Sequence, residues 1–269
     1  MSKGGEKMAR LCPLFSGSSG NSYYLESAGS GVLIDCGRSA KQLEGVLRDN
    51  NISVDRIRAI FITHEHTDHV SALRVFSTRY KIPVYASGGT VAALKQNSVI
   101  NDKVDIHTIT PDGIELENMS VRTFRISHDC AEGCGYYFET QDGRRTAFAT
   151  DTGIIIPEIK SALTGCDTVV LESNHDVGML TNGGYPYPLK LRILSELGHL
   201  SNETCAKAGA EFIKSGSTRI VLAHLSQRNN IPILAEQASV CTFTENKMKR
   251  DIDYKLYVAD VKGSRPIIY

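Results

Sequence analysis

Short apolar stretches alternate with polar segments along the whole chain, and most of them have the length of a β-strand. Runs rich in β-branched and aromatic residues predict the strands of a first sheet at residues 22–26, 31–35, 59–63 and 83–86. A second series of such runs predicts another sheet at residues 105–110, 120–127, 135–139, 146–149 and 168–171. The pattern therefore indicates two strand-rich halves.

Residue types that favour the ends of helices occur between these predicted strands. They predict helices over residues 39–50, 70–79 and 201–215. The first helix begins at Ser39 and the last at Ser201 or Asn202, which are residue types that cap a helix N-terminus. Gly216 can end the last helix, and Asp142-Gly143 between two apolar runs predicts a hairpin turn.

Length and composition favour one large domain. No repeat or linker divides the 269 residues, so we expect a single α/β domain over residues 1–269, with residues 1–8 as a flexible extension. The charges of thirty basic and thirty acidic residues cancel, so the net charge would not attract nucleic acid. A local basic patch would have to bind it. No targeting segment or membrane-length apolar run is visible, which predicts a cytoplasmic protein without a membrane partner. No protein partner is indicated.

The cysteines do not suggest a disulfide framework. They are odd in number and scattered, at Cys12, Cys36, Cys130, Cys134, Cys166, Cys205 and Cys241. Cys130 and Cys134 form the one close pair, and without a second pair they are a weak signal for zinc. We expect ordinary reduced thiols.

The residues that most constrain the function follow the third predicted strand. His64, His66, Asp68 and His69 stand within six positions. Side chains two apart in an extended segment share a face, so His64 and His66 can approach one ion. A helix that begins at Thr67 would direct Asp68 and His69 toward a neighbouring point. Nitrogen and oxygen donors of this kind suit zinc, manganese or iron, whereas the alternative is a histidine-rich surface loop.

The order H-x-H-x-D-H after an apolar strand resembles the signature of the metallo-β-lactamase superfamily. The remaining parts of that pattern follow in order, each at the end of an apolar run: Asp35, His128, Asp151 and His224. The resemblance covers nearly the whole chain. It implies an αββα sandwich, in which helices flank two mixed sheets and the metals lie at the sheet edges.

The resemblance also implies a dinuclear centre with two divalent ions per chain, which would be zinc, manganese or iron. One ion would be held by His64, His66 and His128, the other by Asp68, His69 and His224, with Asp151 between them. A hydroxide shared by the ions would attack a phosphodiester, and Asp68 would also orient it. Asp35 is expected to fix histidine tautomers from behind the ligands, unless it is simply a turn residue at a strand end.

Further motifs resemble the YycJ/WalJ group of this superfamily, small proteins regarded as DNA 5′→3′ exonucleases. The resembling stretches are residues 14–22, 171–176, 198–202 and 224–230. The interval from Asp151 to His224 is too short for the domain inserted in β-CASP nucleases, and His66 stands where diiron flavoproteins carry glutamate. A DNA exonuclease is the leading hypothesis. A small-molecule hydrolase acting on a cyclic phosphodiester, thioester or lactone is the second, and a metal-stabilised scaffold without turnover is the third.

Glu172 and His199 are candidates for leaving-group chemistry. They resemble the glutamate and the Gly-His element with which tRNA 3′-processing enzymes of the superfamily protonate the leaving oxygen. Leu171 replaces the histidine that precedes the glutamate in those enzymes. His199 also competes with His224 for the last ligand position, and a capping or core role for His199 is the alternative.

Substrate contacts are expected near a small, hydroxyl-rich loop and near the last ligand. The loop over residues 16–21 suits a phosphate oxygen, and residues 183–192 mix tyrosine with lysine and arginine, which suits bases and phosphates. A tight hairpin loop and a surface-packing loop are the respective alternatives. The candidate contact residues are Ser18, Ser19, Asn21, His175, Arg228 and Asn230.

Overall fold

A computed structural model of the chain describes residues 9–263 and 265–269, so the predicted extension over residues 1–8 lies outside the described residues. The strands are β1 Arg10–Phe15, β2 Ser22–Ser27, β3 Ser30–Ile34, β4 Ile57–Phe61, β5 Val84–Ala86, β6 Ile106–Thr108, β7 Ile114–Leu116, β8 Met119–Arg125, β9 Cys134–Thr140, β10 Arg145–Ala149, β11 Thr168–Glu172, β12 Arg219–Ala223, β13 Lys255–Val258 and β14 Ile267–Ile268. The helices are α1 Ala40–Asp49, α2 Thr67–Val70, α3 Leu73–Tyr80, α4 Gly88–Gln96, α5 Pro157–Leu163, α6 Val177–Asn182, α7 Tyr187–Leu194, α8 Asn202–Lys214 and α9 Pro232–Glu245, and a 3₁₀ turn spans Val54–Arg56. None of the helices in these ranges is long and apolar enough to cross a membrane.

The described strands form two seven-stranded sheets of similar design. The first has the order β14-β1-β2-β3-β4-β5-β6 and the second the order β13-β12-β11-β10-β9-β8-β7. In the first sheet β1 to β3 are antiparallel and β3 to β6 parallel. In the second, β7 to β10 are antiparallel and β10 to β13 parallel. Helices connect the parallel strands, because a parallel pair needs a long crossover.

Three buried apolar clusters define the layers, and β3 shows how they arise. Val32 and Ile34 pack between the two sheets, whereas Leu33 packs on the outer face against Leu43 and Leu47 of α1. Successive strand side chains point to opposite faces, so a strand buried on both faces is a continuous apolar run. A third cluster joins the second sheet to α5, α8 and α9. These layers confirm the predicted αββα sandwich.

Local signals for helix starts and turns are also confirmed. Ser39 caps α1 through a capping box with Gln42, and Ser201 caps α8. Gly143 has a φ of 77° in the tight turn between β9 and β10, a conformation that glycine adopts without steric cost.

The assignment of residues 105–110 to the second sheet is wrong. Strand β6 lies there, but it pairs in parallel with β5 at the edge of the first sheet. Helix α4 makes the crossover between these two strands. The apolar pattern of so short a strand predicts its existence but not its partner, because partner choice depends on the crossover and the packing of α4.

The helix predicted over residues 70–79 is confirmed as α3, Leu73–Tyr80, but it begins later than predicted and a separate short helix precedes it. Helix α2 begins at Thr67, as the metal motif suggested, and ends at Val70. The backbone N–H of Ala72 donates to the carbonyl oxygen of Cys36 at 2.8 Å. This bond ties the break between α2 and α3 to the end of β3, and so holds the metal motif against the first sheet.

The cysteines lie mainly in the core, and no disulfide joins them in the part of the chain that the structure describes. Burial raises the pKa of the Cys134 and Cys205 thiols to about 12. Such thiols are neutral at physiological pH and unreactive, in keeping with the predicted reduced state.

Candidate metal centre

The candidate ligands lie where strands end at one side of the two sheets. Asp35, Asp151 and His224 each follow the last residue of β3, β10 or β12 closely, and their φ angles are 60°, 56° and 54°. Left-handed backbone at a non-glycine residue costs on the order of 1–3 kcal/mol and is retained mainly at functional sites. Here it turns the chain sharply at the sheet end, which directs these side chains over the gap between the sheets.

His64, His66 and His128 form the first cluster. One ring nitrogen from each lies within 4.8 Å of the others, and His128 Nε2 is 3.3 Å from His66 Nδ1. His64 Nδ1 is 3.0 Å from the Thr63 hydroxyl, and His128 Nδ1 is 3.2 Å from the Gly198 carbonyl oxygen. These outer contacts orient two of the rings and leave their Nε2 atoms facing the cluster.

Asp68, His69 and His224 form the second cluster. Asp68 Oδ2 is 3.5 Å from the Nε2 atoms of both His69 and His224. The Asp151 carboxylate adjoins both histidines, with Oδ2 at 3.4 Å from His69 Nε2 and Oδ1 at 3.3 Å from His224 Nδ1. Asp151 also groups with His64 of the first cluster within 4.8 Å. It therefore lies between the two clusters.

The donor atoms at the centre fit divalent ions. His64 Nε2, His224 Nε2 and Asp151 Oδ2 are buried and have no hydrogen-bond partner among the described residues. Buried polar atoms are rarely left unpaired, because losing water without a new partner is costly. Imidazole nitrogens and carboxylate oxygens converging in this way are a suitable donor set for zinc or manganese.

Electrostatics point the same way. Burial lowers the pKa of His224, but Asp151, Asp68 and Glu172 outweigh it and raise that pKa to about 10. Burial also opposes ionisation of Asp68, yet His69 and His224 hold its pKa well below the usual range. A pocket whose carboxylates attract protons onto its own histidines carries excess negative charge, which divalent cations would neutralise.

Asp35 and Asn21 support the second cluster from behind. Asp35 Oδ2 is 2.7 Å from His69 Nδ1, and Asp35 Oδ1 accepts the backbone N–H of Thr63 at 2.8 Å. Burial raises the pKa of Asp35, although His69 opposes the shift. The amide of Asn21 donates to Asp68 Oδ2 at 3.1 Å, and its oxygen accepts the N–H of Gly17. Asn21 therefore positions Asp68 and is not an open contact for substrate.

Glu172 connects the two competing histidines. Its Oε1 atom is 2.7 Å from His199 Nδ1 and 2.8 Å from His224 Nδ1, and its Oε2 atom accepts the N–H of Thr152. Burial by itself would raise the pKa of Glu172. His199 and His224 lower that pKa by more, so it falls to about 2. His199 is 15% exposed, and it groups with Glu172, Asp151 and His224 within 4.8 Å. It lies outside the two clusters that contain His64 and His69.

The predicted substrate residues do not all reach one open surface. Ser18, Ser19 and Arg228 are exposed. His175 is buried with neither ring nitrogen hydrogen-bonded within the described residues. The Asn230 amide donates to the carbonyl oxygens of residues 173 and 174 and to the Asn202 side chain. These bonds give Asn230 a framework role between β11 and α8, so it is not retained as a substrate contact.

Three polar residues near the site were not among the predicted site residues. Arg38 donates to the Ser19 hydroxyl at 2.8 Å, and Gln227 donates to the same hydroxyl at 2.9 Å. Thr63 hydrogen-bonds to Asp35 and lies against His64. Its place directly before the first histidine is a signal that was available, whereas nothing in the spacing pointed to Arg38.

A family model described as "Beta-lactamase superfamily domain" matches residues 31–225. This chain is a member of the metallo-β-lactamase superfamily. Two relatives are "Exodeoxyribonuclease YycJ" of Bacillus anthracis, 37% identical over 87% of this chain and 88% of that protein, and "Exodeoxyribonuclease WalJ" of Streptococcus pneumoniae serotype 2, 34% identical over 94% and 95%. The chain is therefore YycJ/WalJ-like, as its motifs predicted.

Solved structures of the superfamily share the fold. The metallo-β-lactamase fold protein YhfI from Bacillus subtilis has a TM-score of 0.73 at 14% identity, over 97% of this chain and all of that one. The short form of human tRNase Z has a TM-score of 0.60 at 18% identity, over 96% and 100%. At such identities the likeness concerns the fold alone.

Proposed function

We propose that this metallo-β-lactamase-fold chain is a divalent-metal-dependent exodeoxyribonuclease that removes nucleotides from the 5′ end of DNA. The observation that carries the proposal is the convergence of the seven predicted donors around three buried atoms that have no hydrogen-bond partner among the described residues. Its relatives over nearly the full length are exodeoxyribonucleases. A scaffold needs a closed site with four ligands, whereas an open pair of clusters suits hydrolysis.

Two divalent ions in these clusters would supply a water of lowered pKa and neutralise charge on the phosphoryl group. His64, His66 and His128 would hold one ion, and Asp68, His69 and His224 the other. Asp151 lies between the clusters and would contact both. Asp35 keeps the Nε2 atom of His69 directed inward by engaging its Nδ1 atom at 2.7 Å.

The protein's own groups orient the reacting water and protonate the leaving oxygen. Asp68 is held by Asn21 on one oxygen and can accept a hydrogen bond from the attacking water, which would orient it. His199 is hydrogen-bonded to Glu172 through Nδ1, which leaves Nε2 as the ring nitrogen available to a leaving oxygen. The buried Glu172 carboxylate raises the pKa of His199 despite burial, which favours the protonated ring that a general acid requires.

Among the predicted substrate residues, the exposed ones would contact the DNA. Ser18 and Ser19 lie at the tip of the loop after β1, and Arg228 lies over the ring of Tyr185, 5.8 Å from its centroid. Hydroxyl, guanidinium and aromatic groups together suit a DNA backbone and its bases. Buried His175 would act through the framework around Glu172.

Metal content is the first quantity to measure. We expect wild-type protein loaded with zinc or manganese to hold close to two ions per chain by elemental analysis, and His64→Ala to lose about one. His107→Ala is the matched control, because His107 is exposed and pairs with Asp105 outside the clusters. Wild-type protein that stays metal-free under every loading condition would contradict the proposal.

The polarity of degradation is tested with end-labelled DNA. We expect the 5′ label to be released as a small product from the start of the reaction, while a 3′ label stays on a shortening strand. RNA of the same sequence, a cyclic phosphodiester and a thioester serve as comparison substrates. Faster hydrolysis of the thioester or the cyclic phosphodiester than of DNA would favour the small-molecule alternative.

A further inference from the structure

A cavity of about 610 Å³ adjoins the metal centre between the open ends of the two sheets. One wall comes from the end of β6 and the residues after it, and the opposite wall comes from β8. Its inner end, which is the part beside the metal centre, is lined by His128 and Leu197. The volume lies within the range of roughly 300–1,000 Å³ that is typical of small-ligand sites. Neither the mechanism above nor the predicted contacts make use of this cavity.

The cavity lies on the leaving-group side of the site. His128 Nδ1 is 3.2 Å from the Gly198 carbonyl oxygen, and Gly198 stands between Leu197 and His199. The rings of His128 and His199 have their centroids 5.1 Å apart. A group attached to the oxygen that His199 protonates is therefore next to the inner end of the cavity.

The lining is mixed, with one arginine. Thr123 and Arg125 alternate along β8, so they share a face, and both line the cavity together with the Thr108 and Ser127 side chains. Arg125 is exposed and has no ion-pair partner within the described residues. The acidic lining residue Glu132 is already engaged, since its carboxylate accepts the N–H of Gly89 at the start of α4.

We propose that this cavity binds the 5′-terminal nucleotide of the DNA, with Arg125 pairing to its 5′-phosphate; this rests on the exonuclease function proposed above. A water oxygen, oriented by Asp68, bonds to the phosphorus of the first internucleotide linkage, and the water's proton passes to solvent. The bond from phosphorus to O3′ of the terminal nucleotide breaks, and His199 gives its proton to O3′. A nucleoside 5′-monophosphate leaves from the cavity, and the remaining strand begins with a new 5′-phosphate.

The phosphate contact is tested with Arg125→Gln. We expect its kcat/KM to fall about tenfold to a hundredfold on single-stranded DNA with a 5′-phosphate, the range for loss of a charge-assisted hydrogen bond. On DNA with a 5′-hydroxyl it should match wild type within about twofold. The matched control is Arg122→Gln, because Arg122 is exposed on the same strand but lies outside the cavity lining.

The nucleotide cavity is tested by filling it with Thr108→Trp. Thr108 is exposed at the end of β6, so we expect the fold to tolerate the larger side chain. We expect DNA degradation to fall at least tenfold, while hydrolysis of bis(4-nitrophenyl) phosphate, which needs no nucleotide cavity, stays near wild type. Titration of the protein with thymidine 5′-monophosphate, followed by NMR, should perturb Thr108 and Ser127 and weaken in Arg125→Gln.

The possible results separate the two proposals. If the metal-loaded wild type hydrolyses neither DNA nor bis(4-nitrophenyl) phosphate, the proposed exonuclease function is wrong. The titration with thymidine 5′-monophosphate then tests separately whether the cavity binds a nucleotide. If DNA is degraded but Arg125→Gln behaves like Arg122→Gln, or Thr108→Trp leaves degradation unchanged, the cavity assignment is wrong. Release of nucleoside 3′-monophosphates would also overturn it, because the leaving oxygen would then belong to the remaining strand.

Discussion

Asp151→Ala and Asp68→Ala are each expected to reduce DNA hydrolysis by on the order of 10³-fold or more. Asp151 lies between the two clusters, 3.4 Å from His69 Nε2 and 3.3 Å from His224 Nδ1. Losing it removes the group that would contact both ions, and with it several kcal/mol of transition-state stabilisation. Asp68 would be a ligand to one ion and would also orient the attacking water. Turnover on labelled DNA measures both effects.

The fold is expected to survive both substitutions, because neither side chain belongs to the apolar clusters. Circular dichroism and thermal unfolding provide that check. Asp105→Ala is a matched control, since Asp105 is an exposed carboxylate that pairs with His107 and belongs to none of the candidate metal groups among the described residues. Retention of a tenth or more of the wild-type turnover in either variant would remove that aspartate from the mechanism.

His199→Ala and His224→Ala are expected to differ in metal content although both lose activity. His199 contacts Glu172 but lies outside both ligand clusters, whereas His224 Nε2 is buried, unpartnered in the described residues and close to Asp68. Loss of general-acid assistance reduces turnover by about 10²–10⁴. His199→Ala should show that loss with normal metal content, and His224→Ala should lose metal as well.

The pH profile of the same variant separates a proton donor from a merely structural residue. If His199 supplies the proton, wild-type kcat falls as the pH rises through the raised pKa of His199, and that limb disappears in His199→Ala. An unchanged profile would assign His199 a structural role. Metal loss in His199→Ala, with retention in His224→Ala, would reverse the assignment of the two histidines.

Many of the candidate site residues could be predicted from the sequence because their arrangement depends on local structure. His64, His66, Asp68 and His69 are neighbours in sequence, and the change from strand to helix at Thr67 is enough to direct them at two points. Strands buried on both faces appear as apolar runs for the same local reason. The order of the distant candidates, each after an apolar run, follows from parallel strands ending at one side of a sheet.

The contacts that complete the site depend on segments far apart in the chain. Glu172 touches both His199 and His224 only because β11 lies beside β12 and the segment before α8 folds back over them. The framework role of Asn230 has the same origin, since its three acceptors come from β11's end and from α8. No spacing rule encodes such contacts.

Two features were decided only by the tertiary structure: the sheet to which β6 belongs and the cavity beside His128. Residues 105–110 have a strand pattern, but the crossover through α4 decided that β6 completes the first sheet. That placement leaves the end of β6 opposite β8, and the cavity beside His128 is the gap between them. A donor's identity is a property of one residue and is readable in sequence, whereas a cavity is a property of how two sheet edges face each other.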